Sequence, residues 1–278
     1  MSRRFRQVDV FTTRALRGNP VAVVHDSDGL STEDMLAFTA WTNLSEATFL
    51  LPPTNPAADY AVRIFCPGRE LPFAGHPTLG TCHAWLEAGG APRGETIVQE
   101  CGVGLVTIAR DGDKLAFAAP ALRRSGPLEP ELVRTITRGL GLTPDDVLAH
   151  AWCDNGPGWR ALLLKDAQTV LSVQPRPEDL AGMDVGLVGA YPPGGPADVE
   201  VRAFFPGNSG LAEDPVTGSL NAALAQWLIG SGRLPDTYVA SQGTLLGRAG
   251  QVHVRAAEGQ VWIGGGCVTV IEGAVTIP

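Results

Sequence analysis

The sequence has little charge and no long hydrophobic run. Asp, Glu, Lys and Arg make up only 18 % of its 278 residues, yet no stretch of about 18 consecutive apolar residues could form a membrane-spanning helix. The first residues also lack the apolar core of a secretory signal. These absences predict a cytoplasmic protein with no membrane partner.

Clusters of positive charge are almost missing. The formal net charge is −8, and the one dense basic cluster consists of Arg3, Arg4 and Arg6. Proteins that bind nucleic acid carry a basic face, so the composition argues against a nucleic-acid partner. The five cysteines are odd in number and form no CxxC pair, which is typical of a reducing compartment.

Motifs of several enzyme classes are absent as well. There is no GxSxG nucleophile turn and no GxxxxGK[ST] phosphate loop, and Gly102-Val103-Gly104 lacks the third glycine of a dinucleotide loop. The five histidines show no HExxH or similar metal-ligand spacing. The class that remains is an acid/base enzyme that uses no cofactor and no metal.

What the sequence does contain is an internal repeat. In the first copy, a strand pattern over 62–68 leads through a glycine-rich turn to Gly75-His76-Pro77 and a helix pattern. In the second copy, a strand pattern over 201–207 leads to Glu213-Asp214-Pro215 and another helix pattern. Two copies are too few for a stacked array, so the repeat predicts a duplicated α/β unit.

The repeat register pairs particular residues. His76 and Asp214 both stand directly before a proline, and proline pre-sets the first turn of a helix. We therefore expect the two helices to begin after Pro77 and Pro215. Helix starts present unpaired N–H groups and a partial positive charge, which suits a small anionic substrate. These two helix starts are expected to wall one cleft.

Both halves mix short strands with few helices. This pattern fits a curled mixed sheet around one helix better than a doubly wound parallel sheet. The stretch over 120–130, which contains several prolines and a glycine, is the best linker. We predict an α+β fold with two similar domains from an internal duplication and an active-site cleft between them. The N-terminal half covers 1–122, to which the strand over 268–278 can be added, and the C-terminal half covers 123–267.

Glu46 is the first candidate for chemistry because it precedes an apolar strand. Partial desolvation there would raise the pKa of the carboxyl group towards neutrality and suit it to general acid/base work. The repeat register matches Glu46 with Gly186, so the acid would exist in one half only, as a functional group would. A solvent-exposed glutamate at a strand end is equally consistent with the local sequence.

His76 and Asp214 have different structural explanations. Asp is a favoured helix N-cap residue whereas His is not, so a capping role accounts for Asp214 alone. A ligand contact, or titration near neutral pH, explains His76 better. The hydroxyls of Ser219 and Thr81 could bond either ligand oxygens or helix-end backbone groups, and the structural role is favoured for Thr81.

Four motifs resemble those of the phenazine biosynthesis PhzF-like family. They follow the family's order over nearly the whole chain: Gly18-Asn19-Pro20, Asn43-Leu44-Ser45-Glu46-Ala47-Thr48-Phe49, Gly75-His76-Pro77-Thr78-Leu79-Gly80 and Glu213-Asp214-Pro215-Val216-Thr217-Gly218-Ser219. The resemblance implies the diaminopimelate epimerase-like fold, with two similar α/β domains that each curl a sheet around a central helix. It also implies a cofactor-independent isomerase and a homodimer.

The resemblance further implies roles for single residues. Glu46 would be the acid/base carboxylate, and His76 and Asp214 would complete the catalytic set. The substrate-binding residues would be Gly75, Thr78, Gly218, Ser219 and Asn19. Related epimerases use two facing cysteines at the helix starts, and no cysteine stands there in this chain, so a two-thiol epimerisation is not expected.

The expected activity is therefore a proton shift within a small unsaturated carboxylic acid, with Glu46 as the shuttle. The alternative is a catalytically silent small-molecule-binding or interaction protein on the same scaffold. The Glu46, His76 and Asp214 set favours the enzyme, because a pure scaffold does not need an acid in one half only.

Overall fold

The computed structural model describes residues 2–207 and 210–277. Contacts between residues divide the chain into two units, the first comprising Met1–Ala118 with Gly264–Pro278 and the second Ala119–Ile263. Within the described ranges, no helix is both long and apolar enough to cross a membrane.

Strands and helices are numbered along the chain. The first unit contains β1 (Ser2–Val10), β2 (Asn19–Val24), α1 (Thr32–Thr42), β3 (Ala47–Leu51), β4 (Tyr60–Cys66), β5 (Arg69–Leu71), α2 (Gly75–Glu87), β6 (Ile97–Cys101), β7 (Gly104–Asp111) and β8 (Lys114–Ala118). The second contains α3 (Pro130–Leu140), β9 (Val147–Cys153), β10 (Trp159–Leu164), α4 (Ala167–Ser172), β11 (Val185–Ala190), β12 (Val199–Gly207), β13 (Gly210–Asp214), α5 (Gly218–Gly230), β14 (Thr237–Gln242) and β15 (Gly250–Ala257). Strand β16 (Gln260–Gly265) begins in the second unit and ends just after its last residue, Ile263. The last strand, β17 (Cys267–Thr276), returns to the first unit.

The sheet of the first unit is mixed. Strand β1 lies antiparallel to both β17 and β2. From β2 the pairing continues parallel to β3, antiparallel to β4, parallel to β6 and then antiparallel through β7 to β8. Strand β5 forms a hairpin with β4. The predicted mixed sheet with few helices is confirmed.

The helices of the first unit follow from local sequence signals. Ser31 and Asp34 form a capping box at the start of α1. Helix α2 is buried along most of its length, as expected for a helix enclosed by a curled sheet. Gly80 permits this close packing, because a Cβ atom there would lie 2.4 Å from a methyl group of Val21 on β2.

The second unit repeats the same order of strand pairing. Strand β9 is antiparallel to β10, β10 is parallel to β11, β11 is antiparallel to β12, β12 is parallel to β14, and β14 is antiparallel to β15. Strand β13 forms a hairpin with β12, as β5 does with β4. The order of pairing from β9 to β15 thus reproduces the order from β1 to β7.

The strand register shows which residue of the second unit matches Glu46. The backbone N–H of Ala22 donates to the carbonyl of Glu46 at 3.4 Å, and that of Arg160 donates to the carbonyl of Asp184 at 2.9 Å. These two bonds stand at the same point of the β2–β3 and β10–β11 pairs. Asp184 therefore matches Glu46. The sequence-based match with Gly186 is wrong, as is the inference that only one half carries an acid at this position.

Gly186 is explained by packing instead. A Cβ atom on Gly186 would lie 2.4 Å from a methyl carbon of Leu220 on α5. Real Cβ atoms do not approach other heavy atoms so closely, so a larger residue here would force the Leu220 side chain to shift. The glycine at position 186 is therefore explained by close packing between helix and sheet, and not by the absence of a catalytic group.

The helix starts also differ from the prediction. The N-cap residues are Ala74 for α2 and Thr217 for α5, and each helix has 13 residues. His76 is thus the second residue of its helix and matches Ser219, whereas Asp214 is the last residue of β13. Helix α5 begins beyond Pro215, whereas α2 begins at Gly75, before Pro77. The expected match of His76 with Asp214 and the expected start of α2 after Pro77 are therefore wrong. Neither His76 nor Asp214 is a helix N-cap.

Candidate active site

Glu46 and His76 meet in the first unit. Glu46 directly precedes β3, and its Oε2 atom lies 3.4 Å from Nε2 of His76. Only 18 % of the Glu46 side chain and 6 % of the His76 side chain are exposed, so Glu46 is not a strand-end glutamate in open solvent. On the other edge of the ring, Nδ2 of Asn19 lies 3.4 Å from Nδ1 of His76. The fold therefore brings three predicted site residues together.

His76 carries no charge at neutral pH. Burial lowers the pKa of the ring to about 3, and a hydrogen bond with the backbone of Pro20 opposes this effect. The contact with Glu46 thus joins a carboxyl group to an uncharged imidazole and is not an ion pair. The expectation that His76 titrates near neutrality is wrong, because the buried ring has lost the water that would solvate its charge.

A hydrogen bond joins the His76 ring to the backbone of Pro20. Proline has no backbone N–H, so its carbonyl accepts the bond and the ring donates. Nδ2 of Asn19, which faces Nδ1, is also a donor, so its contact at 3.4 Å requires a lone pair on Nδ1. A neutral imidazole has one N–H and one lone pair. Nε2 therefore accepts a hydrogen bond from a protonated Glu46 when the ring proton is on Nδ1, and donates one to an ionised Glu46 when it is on Nε2.

The first turn of α2 lies beside this pair. Ala74, the N-cap residue, provides no side-chain hydrogen bond to the helix start, so the N–H groups from Gly75 onward are not capped by it. Thr78 is fully buried, and its hydroxyl oxygen accepts a hydrogen bond from Nε2 of Gln99 at 3.1 Å. This bond ties Thr78 into the core, and its predicted contact with substrate stays a prediction.

Asp214, Gly218 and Ser219 lie on one turn of the second unit, between the end of β13 and the start of α5. The hydroxyl of Thr217 donates to Oδ2 of Asp214 at 2.6 Å. Although Thr217 is the N-cap residue, its side chain makes no capping bond to α5. The N–H groups at the helix start are therefore not capped by this hydroxyl, which favours an anion there.

Ser219 is positioned by two residues that the sequence did not point to. Nε1 of Trp159 donates to Oγ of Ser219 at 3.1 Å, and Nδ2 of Asn155 donates to its carbonyl at 2.8 Å. A hydroxyl that accepts one hydrogen bond keeps its own proton for donation. Ser219 is thus oriented as a donor. The only sequence signal for this pair was the Gly156-Pro157-Gly158 turn that separates them.

Gln242 is the other residue missed by sequence reasoning. It is fully buried at the end of β14. Its side chain bonds with Asp214, Thr217 and Asn221, so one amide organises the whole turn that carries Asp214 and Ser219. A single glutamine at the end of a strand forms no recognisable motif.

Known proteins resemble this chain in sequence. Residues 8–273 match the family described as "Phenazine biosynthesis-like protein", PhzC-PhzF. The chain belongs to this family. It is similar to a Schizosaccharomyces pombe protein named Antisense-enhancing sequence 1, with 36 % identity over 289 residues and 97 % coverage of each chain. It is also similar to the trans-2,3-dihydro-3-hydroxyanthranilate isomerase of Pseudomonas aeruginosa, with 31 % identity over 257 residues, covering 91 % of this chain and 90 % of that one.

Solved structures agree with the family assignment. The phenazine biosynthesis protein of the PhzF family from Enterococcus faecalis has a TM-score of 0.81 and 26 % identity, covering 99 % of this chain and 100 % of that chain. Several relatives are named isomerases. The resemblance predicted from the four motifs is confirmed, and the protein is a PhzF-like isomerase.

Proposed function

We propose that this isomerase moves a proton between two carbons of a small unsaturated carboxylic acid, with Glu46 as the acid/base group. The observation that carries the proposal is the contact of the Glu46 carboxyl with a buried, uncharged His76 at 3.4 Å. The 31 % identical Pseudomonas aeruginosa relative, whose name denotes the isomerisation of a dihydro-hydroxyanthranilate, supports the same class of substrate.

The proton shift needs one group that both takes and returns a proton. Ionised Glu46 removes a proton from one carbon, and the electron pair of that C–H bond enters the conjugated system of the substrate. The same carboxyl group then delivers the proton to a second carbon, and the double bond moves. In between, the tautomer of His76 with its proton on Nδ1 accepts a hydrogen bond from the protonated carboxyl at Nε2. In that tautomer Nε2 holds a lone pair, so the bond forms only while Glu46 carries the proton.

Each unit, taken by itself, contains groups that suit a small anion. The helix starts at Gly75 and Gly218 present N–H groups that suit a carboxylate. Ser219 adds a hydroxyl donor and Asp214 a carboxylate acceptor. With a net charge of −8, attraction of an anion rests on these local dipoles and not on the overall field of the protein.

The test is a proton-exchange screen in deuterium oxide. Small unsaturated carboxylates, including trans-2,3-dihydro-3-hydroxyanthranilate, are incubated with the wild type and with Glu46→Gln, and products are followed by NMR and mass spectrometry. The wild type should isomerise at least one acid and place deuterium at the carbon that gains the proton. Glu46→Gln should lower that rate by about 10²–10⁴-fold while it still binds the acid.

The matched control is Glu95→Gln, which removes an exposed acid from a loop of the same unit and should leave the rate unchanged. Turnover by Glu46→Gln at the wild-type rate would refute the assigned role of Glu46. A wild type that neither isomerises nor exchanges any acid of a broad panel would refute the proposed substrate class.

A further inference from the structure

The backbone atoms that contact the side-chain amide of Gln242 determine which way the amide is oriented. Its Oε1 atom lies 3.0 Å from the backbone N of Thr217, and its Nε2 atom lies 3.1 Å from the carbonyl oxygen of Asp214. A backbone N–H can only donate and a carbonyl can only accept. The orientation of the amide, which is often ambiguous, is therefore settled here. The side-chain nitrogen of Asn221, 2.9 Å from Oε1, agrees with it.

The orientation of the Gln242 amide also determines the direction of the hydrogen bonds at the Thr217 hydroxyl. Nε2 of Gln242 lies 2.9 Å from Oγ1 of Thr217 and must donate to it. The hydroxyl has a single proton, and Oδ2 of Asp214 lies 2.6 Å away, so that proton is donated to the carboxyl oxygen. The distance is typical of an O–H···O⁻ bond to an ionised acid. A carboxylate that receives a hydrogen bond is stabilised in its charged form.

In the first unit, the buried side chain of Gln99 also binds a threonine, but among the described residues no carboxylate accepts a hydrogen bond from that threonine hydroxyl. Gln99 is also fully buried on β6 and donates from Nε2 to the hydroxyl of Thr78 at 3.1 Å. The register position of Asp214 is held there by Leu71, since Ala203 faces Asp214 and Ile64 faces Leu71 in the two hairpins. Both units thus use a buried glutamine to fix a threonine near the central helix. Only the second unit extends the chain of bonds to a carboxylate.

We propose that Gln242 is a positioning residue that acts through Thr217 to hold Asp214 as an oriented carboxylate. Asp214 then serves the site as a fixed negative charge and acceptor, not as a proton donor. This proposal rests on the proposed place of Asp214 in the active site. The chain of bonds joins the end of β14 to the turn before α5 and involves no atom of a substrate, so it can be measured separately from catalysis.

The experiment is a titration of the Asp214 carboxyl carbon by NMR in protein labelled with ¹³C-aspartate. The resonance of Asp214 is the one that is lost in Asp214→Asn. Thr217→Val removes the hydroxyl at nearly constant shape, and the midpoint of the Asp214 titration should rise by about one pH unit. Gln242→Met removes the donor to Thr217 and should shift it in the same direction by about half a unit or more. Thr217→Ser keeps a hydroxyl and should stay within about 0.3 unit of the wild type.

A purely structural role for Gln242 would lower the melting temperature without moving this titration. The proposal is overturned if Thr217→Val or Gln242→Met remains folded, as judged by its amide spectrum, and Asp214 titrates as in the wild type. Because the titration requires no turnover, it also separates the two proposals. A failed substrate screen with the expected shifts would refute the proposed function and leave the bond chain standing.

Discussion

Arg202 binds Glu213 through two hydrogen bonds, from Nε to Oε1 at 2.9 Å and from Nη2 to Oε2 at 2.8 Å. Arg63 binds Glu70 in the same two-point geometry in the first unit, at 2.8 and 2.6 Å. Each arginine also lies over a phenylalanine ring two residues further along its strand. The internal repeat therefore includes an ion pair that joins the central strand to its hairpin partner.

The two ion pairs differ in burial, and this difference predicts how much each contributes to the free energy of unfolding. Arg202 is only 5 % exposed and also donates to the carbonyls of Val170 and Val173, whereas 28 % of Arg63 is exposed. Arg202→Met should lower the free energy of unfolding by about 3–5 kcal/mol, because it leaves a buried carboxylate unpaired. Arg63→Met should cost about 1 kcal/mol or less, because water screens an exposed pair.

Urea unfolding of the two variants measures this difference. Equal losses of unfolding free energy would contradict the prediction that the Arg202–Glu213 pair contributes more to stability than the Arg63–Glu70 pair. Because Glu213 directly precedes Asp214, Arg202→Met should also reduce turnover more than Arg63→Met does.

Two buried histidines predict a loss of stability in mild acid. Burial lowers the pKa of His76 to about 3, and burial followed by the charges of Arg4 and Arg6 lowers that of His25 to about 4. Both values lie below the unfolded value of about 6.5. The unfolded chain therefore binds more protons below pH 6.5, and the stabilising effect, complete above that pH, is lost as the pH falls. Each histidine contributes a slope of up to about 1.4 kcal/mol per pH unit.

The measurement is the free energy of unfolding at pH 7, 6 and 5, above the range in which most carboxyl groups titrate. His76→Gln and His25→Gln should each flatten the decline from pH 7 to pH 5. His83, half-buried beside Glu87 at 3.2 Å, serves as the comparison, and His83→Gln should flatten it less. An unchanged slope in both His76→Gln and His25→Gln would contradict the burial argument.

The sequence predicted those features that depend on local patterns. The capping box of Ser31 and Asp34 is a pattern of this kind, because both partners are encoded within four residues. The family motifs correctly brought Glu46 and His76 to one place. These features succeeded because each depends on residues that are close in the chain or that recur in a recognised order.

Features set by strand register and long-range contacts were not predictable in the same way. Gaps of single residues shift a repeat alignment, and a shift of two residues along a strand preserves the facing of side chains while it changes their identity. For this reason the sequence repeat matched Glu46 with Gly186 and not with Asp184. The position of Gln242 beside Asp214 depends on the pairing of β12 with β14, and no local pattern encodes it.

The match of Asp184 with Glu46 sets up a decisive comparison between the two acids. A single-shuttle mechanism predicts that Glu46→Gln lowers turnover by about 10²–10⁴-fold, whereas Asp184→Asn keeps it within about 10-fold of the wild type. The physical reason is the partner on the central helix. Glu46 faces the buried, uncharged ring of His76, while the helix position that matches His76 is occupied by Ser219, whose oxygen already accepts from Trp159. Rates are measured with the acid identified by the exchange screen, after circular dichroism has shown that both variants fold. A loss for Asp184→Asn as large as that for Glu46→Gln would replace the single shuttle with a two-base mechanism, in which one acid removes the proton and the other returns it.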